Sequence, residues 1–213
     1  MGGMLIQAAL ASNQGLSVCS AVTIGSPVDF GKIGDSSFSK LLKLKWLLKC
    51  YPWVSLPVLT RLLAPFSPGL SNRVMGLFQS ANIGPQAARG LLTVASESLG
   101  SRELWLEFGR YMETGVFGPG DGTSYYGKLP FSKIPLLVLI GSNDRMAPQA
   151  AVEAACKKME DSGERRRLML GKACGCKEDY GHVDLVIGKN VESEVFPHIA
   201  RWLEEHDGVQ TTA

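Results

Sequence analysis

No aspartate or glutamate occurs between residues 36 and 96, and the whole 213-residue chain holds three histidines. Nor is there a run of about 18 uncharged apolar residues, which removes the candidates for a membrane-spanning helix. No basic stretch leads into an apolar one with a cleavage site after it, so no leader is legible. A soluble or peripherally bound protein is expected, with the compartment left open and an intracellular or organellar one favoured over secretion. Five cysteines are an odd number without a repeating framework, which fits reduced thiols better than a disulfide scaffold. Cys174-Gly175-Cys176 is too tightly spaced, and too poor in companion ligands, for a zinc site. Neither a metal nor a cofactor is expected.

What is present is apolar and uneven in charge. With 45% hydrophobic residues the chain can bury one good-sized core, so one domain with an inserted subdomain is the starting expectation. The acid-free stretch carries Lys40, Lys43, Lys45, Lys49, Arg61, Arg73 and Arg89. These seven cations exceed the net charge of +2, so the remainder is net acidic. A basic, apolar section suits acyl chains with anionic heads or an anionic membrane surface. A solvated cationic face is the plain alternative. The cations are scattered among leucines and prolines without a recognised binding motif, which argues against nucleic acid.

Small and apolar residues from Met4 to Ser12 predict a helix that sits close on a sheet, stopped by Asn13-Gln14-Gly15. Val18 to Ile24 reads as a buried parallel strand ending at Gly25-Ser26-Pro27. Beyond Gly31, prolines 52, 57, 65, 68 and 85 interrupt leucine-rich pieces, the pattern of an irregular helical cap. Helices are placed at Ser36 to Cys50, Val54 to Leu63, Ser71 to Phe78, Pro85 to Leu99 and Ser101 to Met112, and a glycine-rich loop at Gly115 to Gly127. Ile134 to Ile140 is the clearest buried strand, and a helix follows from Pro148 to Met159. Arg166 to Leu170 gives a shorter strand, and Val191 to Glu205 a last helix. The expected boundaries are core at 1–30, cap at 31–130 and core again at 131–213.

Alternating strands and helices imply an α/β fold with a parallel sheet, whose ligands gather at the carboxyl ends of the strands. Asp144 falls just past one such end, in Gly141-Ser142-Asn143-Asp144. His182 falls past another, in Tyr180-Gly181-His182-Val183-Asp184. Preceded by Met1-Gly2-Gly3 and a helix, this order resembles the α/β-hydrolase superfamily, where Gly-x-Ser-x-Gly on a strand-to-helix turn is followed by an acid and then a histidine. The resemblance implies the C-terminal half of a doubly wound sheet with an inserted cap, beginning just after the nucleophilic serine. It further implies Asp144 as the acid and His182 as the base. The backbone N–H of Met1 would take the oxyanion-hole position, where a chain start cannot serve, so the 213 residues alone would be inactive.

Each assignment has a plainer competitor. An aspartate a few residues past a strand is commonly a turn or capping residue, and a lone loop histidine is commonly structural. Asp29, past the preceding strand, is an alternative acid. Asp184 resembles the His-x-Asp of some lipase-like members, where it supports the histidine loop, but it would equally cap the next turn. His198 and His206 have no catalytic context. Ser96-Glu97-Ser98-Leu99-Gly100 is a rival elbow, disfavoured because a Cβ at its first position crowds the turn and because the segment reads as one helix from Pro85.

The resemblance implies serine ester hydrolysis of a small hydrophobic ester or lipid, with peripheral membrane contact through the basic cap as a further partner. An acyltransferase on the same scaffold, or a non-catalytic product that binds lipid or protein, are the alternatives.

Overall fold

The computed structural model describes residues 2–12, 17–33, 78–88, 90–91, 102–126, 132–158 and 163–207. They form helix α1 (Gly2–Ser12), strand β1 (Ala21–Ile24), helix α2 (Arg102–Thr114), strand β2 (Leu136–Gly141), helix α3 (Gln149–Lys158) and strand β3 (Arg165–Leu170). Three helices follow: α4 (Asp184–Ile187), α5 (Val191–Glu194) and α6 (Phe196–Glu205). The three strands make one parallel sheet in the order β1-β2-β3.

The middle place of β2 follows from its composition. All six residues of Leu-Leu-Val-Leu-Ile-Gly are buried, as a strand covered on both faces requires. Because side chains alternate across a strand, the two halves of this run serve different cores. Leu136, Val138 and Ile140 join Met4, Leu10 and Ala11 of α1 and Ala151 and Val152 of α3. Leu137 and Leu139 meet Leu185, Val191, Val195 and Trp202 on the opposite face. Helices therefore pack on both sides of the sheet, a mixed α/β architecture.

The strand expected at Val18 to Ile24 starts later, at Ala21. Parallel pairing with β2 runs from Ala21 opposite Leu136 to Ile24 opposite Leu139, and Val18 is exposed. The helix expected from Val191 to Glu205 divides in two at Val195. Pro197 supplies the reason, since it has no N–H to give residue 193 and its ring crowds that carbonyl. The short helix α4, directly after His182, has no counterpart in the sequence pattern.

Helix α2 extends through Thr114 and stops at Gly115, whose φ of +69° is the left-handed conformation that favours glycine after a helix. Residues 115–126 form no helix or strand. They are nonetheless pinned by aromatic packing, with Phe117 5.0 Å from Tyr111 and 5.1 Å from Tyr126, ring centre to ring centre. Phe30 lies 5.5 Å from Tyr111, so these rings belong to the same cluster as β2 and α1. Of the cap pieces expected earlier, 36–50, 54–63 and 71–77, most of 85–99, and all seven basic residues of the acid-free stretch lie outside the described residues. So do Met1 and the rival serine at 98. Among the described residues no helix is long and apolar enough to cross a membrane.

Candidate active site

Three chain segments meet at the carboxyl end of the sheet. After β1, Gly25 donates its N–H to Leu139 O at 2.9 Å and turns with φ +53°. After β2, the chain folds back so that Asp144 N–H donates to Gly141 O at 3.3 Å. After β3, the loop carrying His182 is drawn in by Asn143 N–H, which donates to Tyr180 O at 2.9 Å. The approach is close enough that a Cβ at Gly141 would lie 2.6 Å from Tyr180 O.

This convergence places His182 Nδ1 2.8 Å from Asp144 Oδ2. The other carboxylate oxygen, Oδ1, accepts the backbone N–H groups of Met146 at 2.9 Å and Ala147 at 2.8 Å. Asp144 is thus an acceptor at both oxygens, and the histidine donates from Nδ1. Held by two backbone donors, the carboxylate cannot rotate away, and it fixes the imidazole tautomer. The Asp144 side chain is fully buried, while that of His182 keeps 26% of its surface. Nε2 is the nitrogen left to act, and among the described residues it has no hydrogen-bond partner.

Gly25 lies directly against this pair. A methyl group there would sit 2.9 Å from Asp144 Oδ2 and 3.0 Å from His182 Nδ1. The next residue, Ser26, meets the start of α1: a Cβ on Gly3 would lie 1.9 Å from Ser26 Oγ. Two glycines therefore bring the helix start, the turn after β1 and the Asp144–His182 pair into one tight stack.

The histidine loop is further braced. Asp179 Oδ1 accepts Ser142 Oγ–H at 2.9 Å and Lys172 N–H at 3.0 Å, and these bonds hold its carboxyl below the usual range. Tyr180 OH donates to Glu194 Oε2 at 2.8 Å, and burial pushes its phenol upward. Asp184 is fully buried. Its Oδ2 accepts Gly181 N–H at 3.0 Å and Asn82 Nδ2–H at 2.8 Å, and its Oδ1 accepts Gln79 N–H at 3.4 Å. Burial raises the Asp184 carboxyl, offset only in part by these donors.

Of the residues singled out in the sequence, Asp144, His182 and Asp184 come together here. Asp29 is spent elsewhere, accepting Gly31 N–H at 3.1 Å and pairing with Lys32 Nζ at 3.4 Å. His206 is buried near the other end of the sheet, its Nδ1 2.8 Å from Trp202 O and its Nε2 3.1 Å from Glu164 Oε2. Cys174 and Cys176 carry free thiols, and no group of three His, Cys, Asp or Glu side chains among the described residues could hold a metal ion. Sequence reasoning missed Gly25, Gln79, Asn82 and Asp179. The glycine read only as a strand end, and nothing local marks the other three, because the partners of Gln79 and Asn82 and the Ser142 partner of Asp179 are distant in the chain.

No protein-family model and no curated protein sequence matches the chain. Among solved structures it is similar to MGS-M2, an alpha/beta hydrolase enzyme from a Medee basin deep-sea metagenome library, at 15% sequence identity and a TM-score of 0.41. The similarity covers 87% of this chain and 57% of that one, so the chain spans little more than half the length of that neighbour.

Proposed function

We propose that this chain supplies the acid–base half of an α/β-hydrolase-like serine hydrolase acting on a hydrophobic ester. The observation that carries the reading is the 2.8 Å bond between Asp144 Oδ2 and His182 Nδ1 at the carboxyl ends of parallel strands, with the first turn of α1 stacked beside it through Gly25 and Ser26. In this reading a serine at the entry to α1 is the nucleophile that His182 Nε2 serves. The unpaired backbone N–H groups of the first helical turn, aided by the helix dipole, would then stabilise the developing oxyanion.

In the proposed reaction His182 Nε2 takes the serine proton as the serine oxygen attacks the ester carbonyl. Asp144 stabilises the imidazolium without being protonated itself. Collapse of the tetrahedral intermediate expels the alcohol, which leaves with the proton from Nε2. A water then gives its proton to Nε2 and attacks the acyl-serine, releasing the acid and the free serine. The preference for an apolar acyl group follows from the leucine-rich, cationic sequence between 36 and 96.

A fluorophosphonate, which phosphonylates only an activated serine, tests the reading. The protein carrying its in-frame upstream coding sequence should be labelled at a serine entering α1, and His182→Ala should abolish labelling. Labelling unaffected by His182→Ala, or absent from the extended protein, would refute the assignment. Release of acid from an aryl ester in water, compared with ester formation when an alcohol is added, separates hydrolysis from acyl transfer.

A further inference from the structure

Resting on the role proposed for His182, we infer that Asn82 is a positioning residue for it, acting through Asp184 from a segment about a hundred residues away in sequence. A single hydrogen bond from Nδ1 to Asp144 leaves the ring free to swing about that bond, so the direction of Nε2 must come from the loop that carries the ring. That loop is clamped from one side by residues 78–82.

The clamp is specific in its chemistry. Asn82 Nδ2 lies 2.7 Å from Asp179 O and 2.8 Å from Asp184 Oδ2. Both of those atoms are acceptors, so one nitrogen carrying two hydrogens, as the Asn82 amide does and a hydroxyl does not, satisfies them together. The two bonds straddle His182, one on the chain before it and one just after. Asp184 closes the loop by accepting Gly181 N–H, the amide preceding the histidine, at 3.0 Å. The backbone of the clamp is fixed in turn, since Lys189 N–H donates to Asn82 O at 2.9 Å and Lys189 Nζ to Ala81 O at 3.1 Å.

Packing leaves little room for slack. A Cβ on Gly181 would lie 2.8 Å from Asp184 Oδ1 and 3.1 Å from the Cα of Phe78, so backbone meets backbone across this contact. Phe78, Ile83 and Ala88 are buried together, with the partly buried Met146 and Val183, close neighbours of Asp144 and His182 on their loops, packed against them. The segment around Asn82 therefore packs against the loops that carry both partners of the pair, and removing the amide releases the histidine loop at the bonds on either side of His182.

The test reads the imidazole directly by nitrogen-edited proton NMR of the ring N–H signals. In Asn82→Ala the His182 Nδ1–H signal should shift or broaden by exchange with water. The Nδ1–H signal of His206, bonded to Trp202 O at 2.8 Å, should stay in place as an internal control. In the extended, active protein the same variant should lower turnover roughly tenfold to a hundredfold, with KM little changed. Both NMR signals unchanged in a cooperatively folded Asn82→Ala would overturn the proposal.

Hydrogen exchange on the unaltered chain judges it even if that variant does not fold. The amides of Gly181 and Lys189, held through one network, should open with the same free energy, and independent opening would overturn the clamp. These readouts need no turnover. If the extended protein hydrolyses no ester, the functional reading fails while the NMR and exchange results still decide the role of Asn82.

Discussion

Replacing Gly25 with alanine adds one methyl group where the structure has least room for it. The new carbon would stand 2.9 Å from Asp144 Oδ2, 3.0 Å from His182 Nδ1 and 3.2 Å from His182 Cε1. Comfortable separations begin roughly half an ångström further out. Asp144 cannot retreat, because two backbone N–H groups hold its Oδ1. The histidine must give way, and a 2.8 Å bond lengthened by about that amount is at the limit of a hydrogen bond. Separately, φ of +53° costs an alanine about 1–2 kcal/mol.

Gly122 provides the control that separates these two effects. Its φ is +89°, yet nothing lies within 4 Å of a Cβ built there. Gly122→Ala should therefore lose stability by the backbone cost alone and leave the His182 Nδ1–H NMR signal untouched. Gly25→Ala should lose more stability in urea unfolding, move or erase that signal, and in the extended protein cut ester hydrolysis by on the order of a hundredfold. Equal losses of stability in the two variants, with the His182 signal intact in both, would refute the argument that Gly25 is needed for space.

Asp144→Asn, which keeps the shape but leaves the imidazole in the wrong tautomer, should lower turnover of the extended protein by about 10⁴ with little change in melting temperature. Asp184→Asn should change how stability depends on pH. A carboxyl raised by burial stabilises fully below the ordinary aspartate value of about 3.9, and that contribution is lost as pH rises through the raised value. The stability deficit of Asp184→Asn against the parent should hence shrink from pH 4 to pH 7 in urea titrations. Glu164 has the opposite sign: its bond to His206, helped by Arg166, lowers its carboxyl, so its contribution is present above about pH 4.3 and lost as pH falls. Glu164→Gln should flatten the acid limb of the melting temperature. Leu139→Ala, at a fully buried position between β2 and the Trp202 side of the core, should cost roughly 2–5 kcal/mol.

The strands were legible because their signal is local. A five-residue run of Leu, Val and Ile bounded by Pro135 and Gly141 can be buried on both faces only at the middle of a parallel sheet, and β2 is there. Among the described residues, the helices expected at Met4 to Ser12, Ser101 to Met112 and Pro148 to Met159 have their bounds within two residues, while Pro197 divides the last helix and α4 was not foreseen. Asp144 and His182 could be singled out because each follows a strand, and strand ends in a parallel sheet converge.

What the sequence determined by itself was thus the three strands, the longer described helices between them and the two side chains placed past strand ends, since periodicity and turn residues act over a few positions. Only the tertiary structure decided that Asp144 rather than Asp29 meets the histidine, that Gly25 must lack a side chain, and that Asn82 bonds to the His182 loop both before and after the histidine. Those facts depend on contacts between residues as much as 157 positions apart, the separation of Gly25 from His182. Contacts of that range arise from how the faces of β2 pack, and no local pattern encodes them.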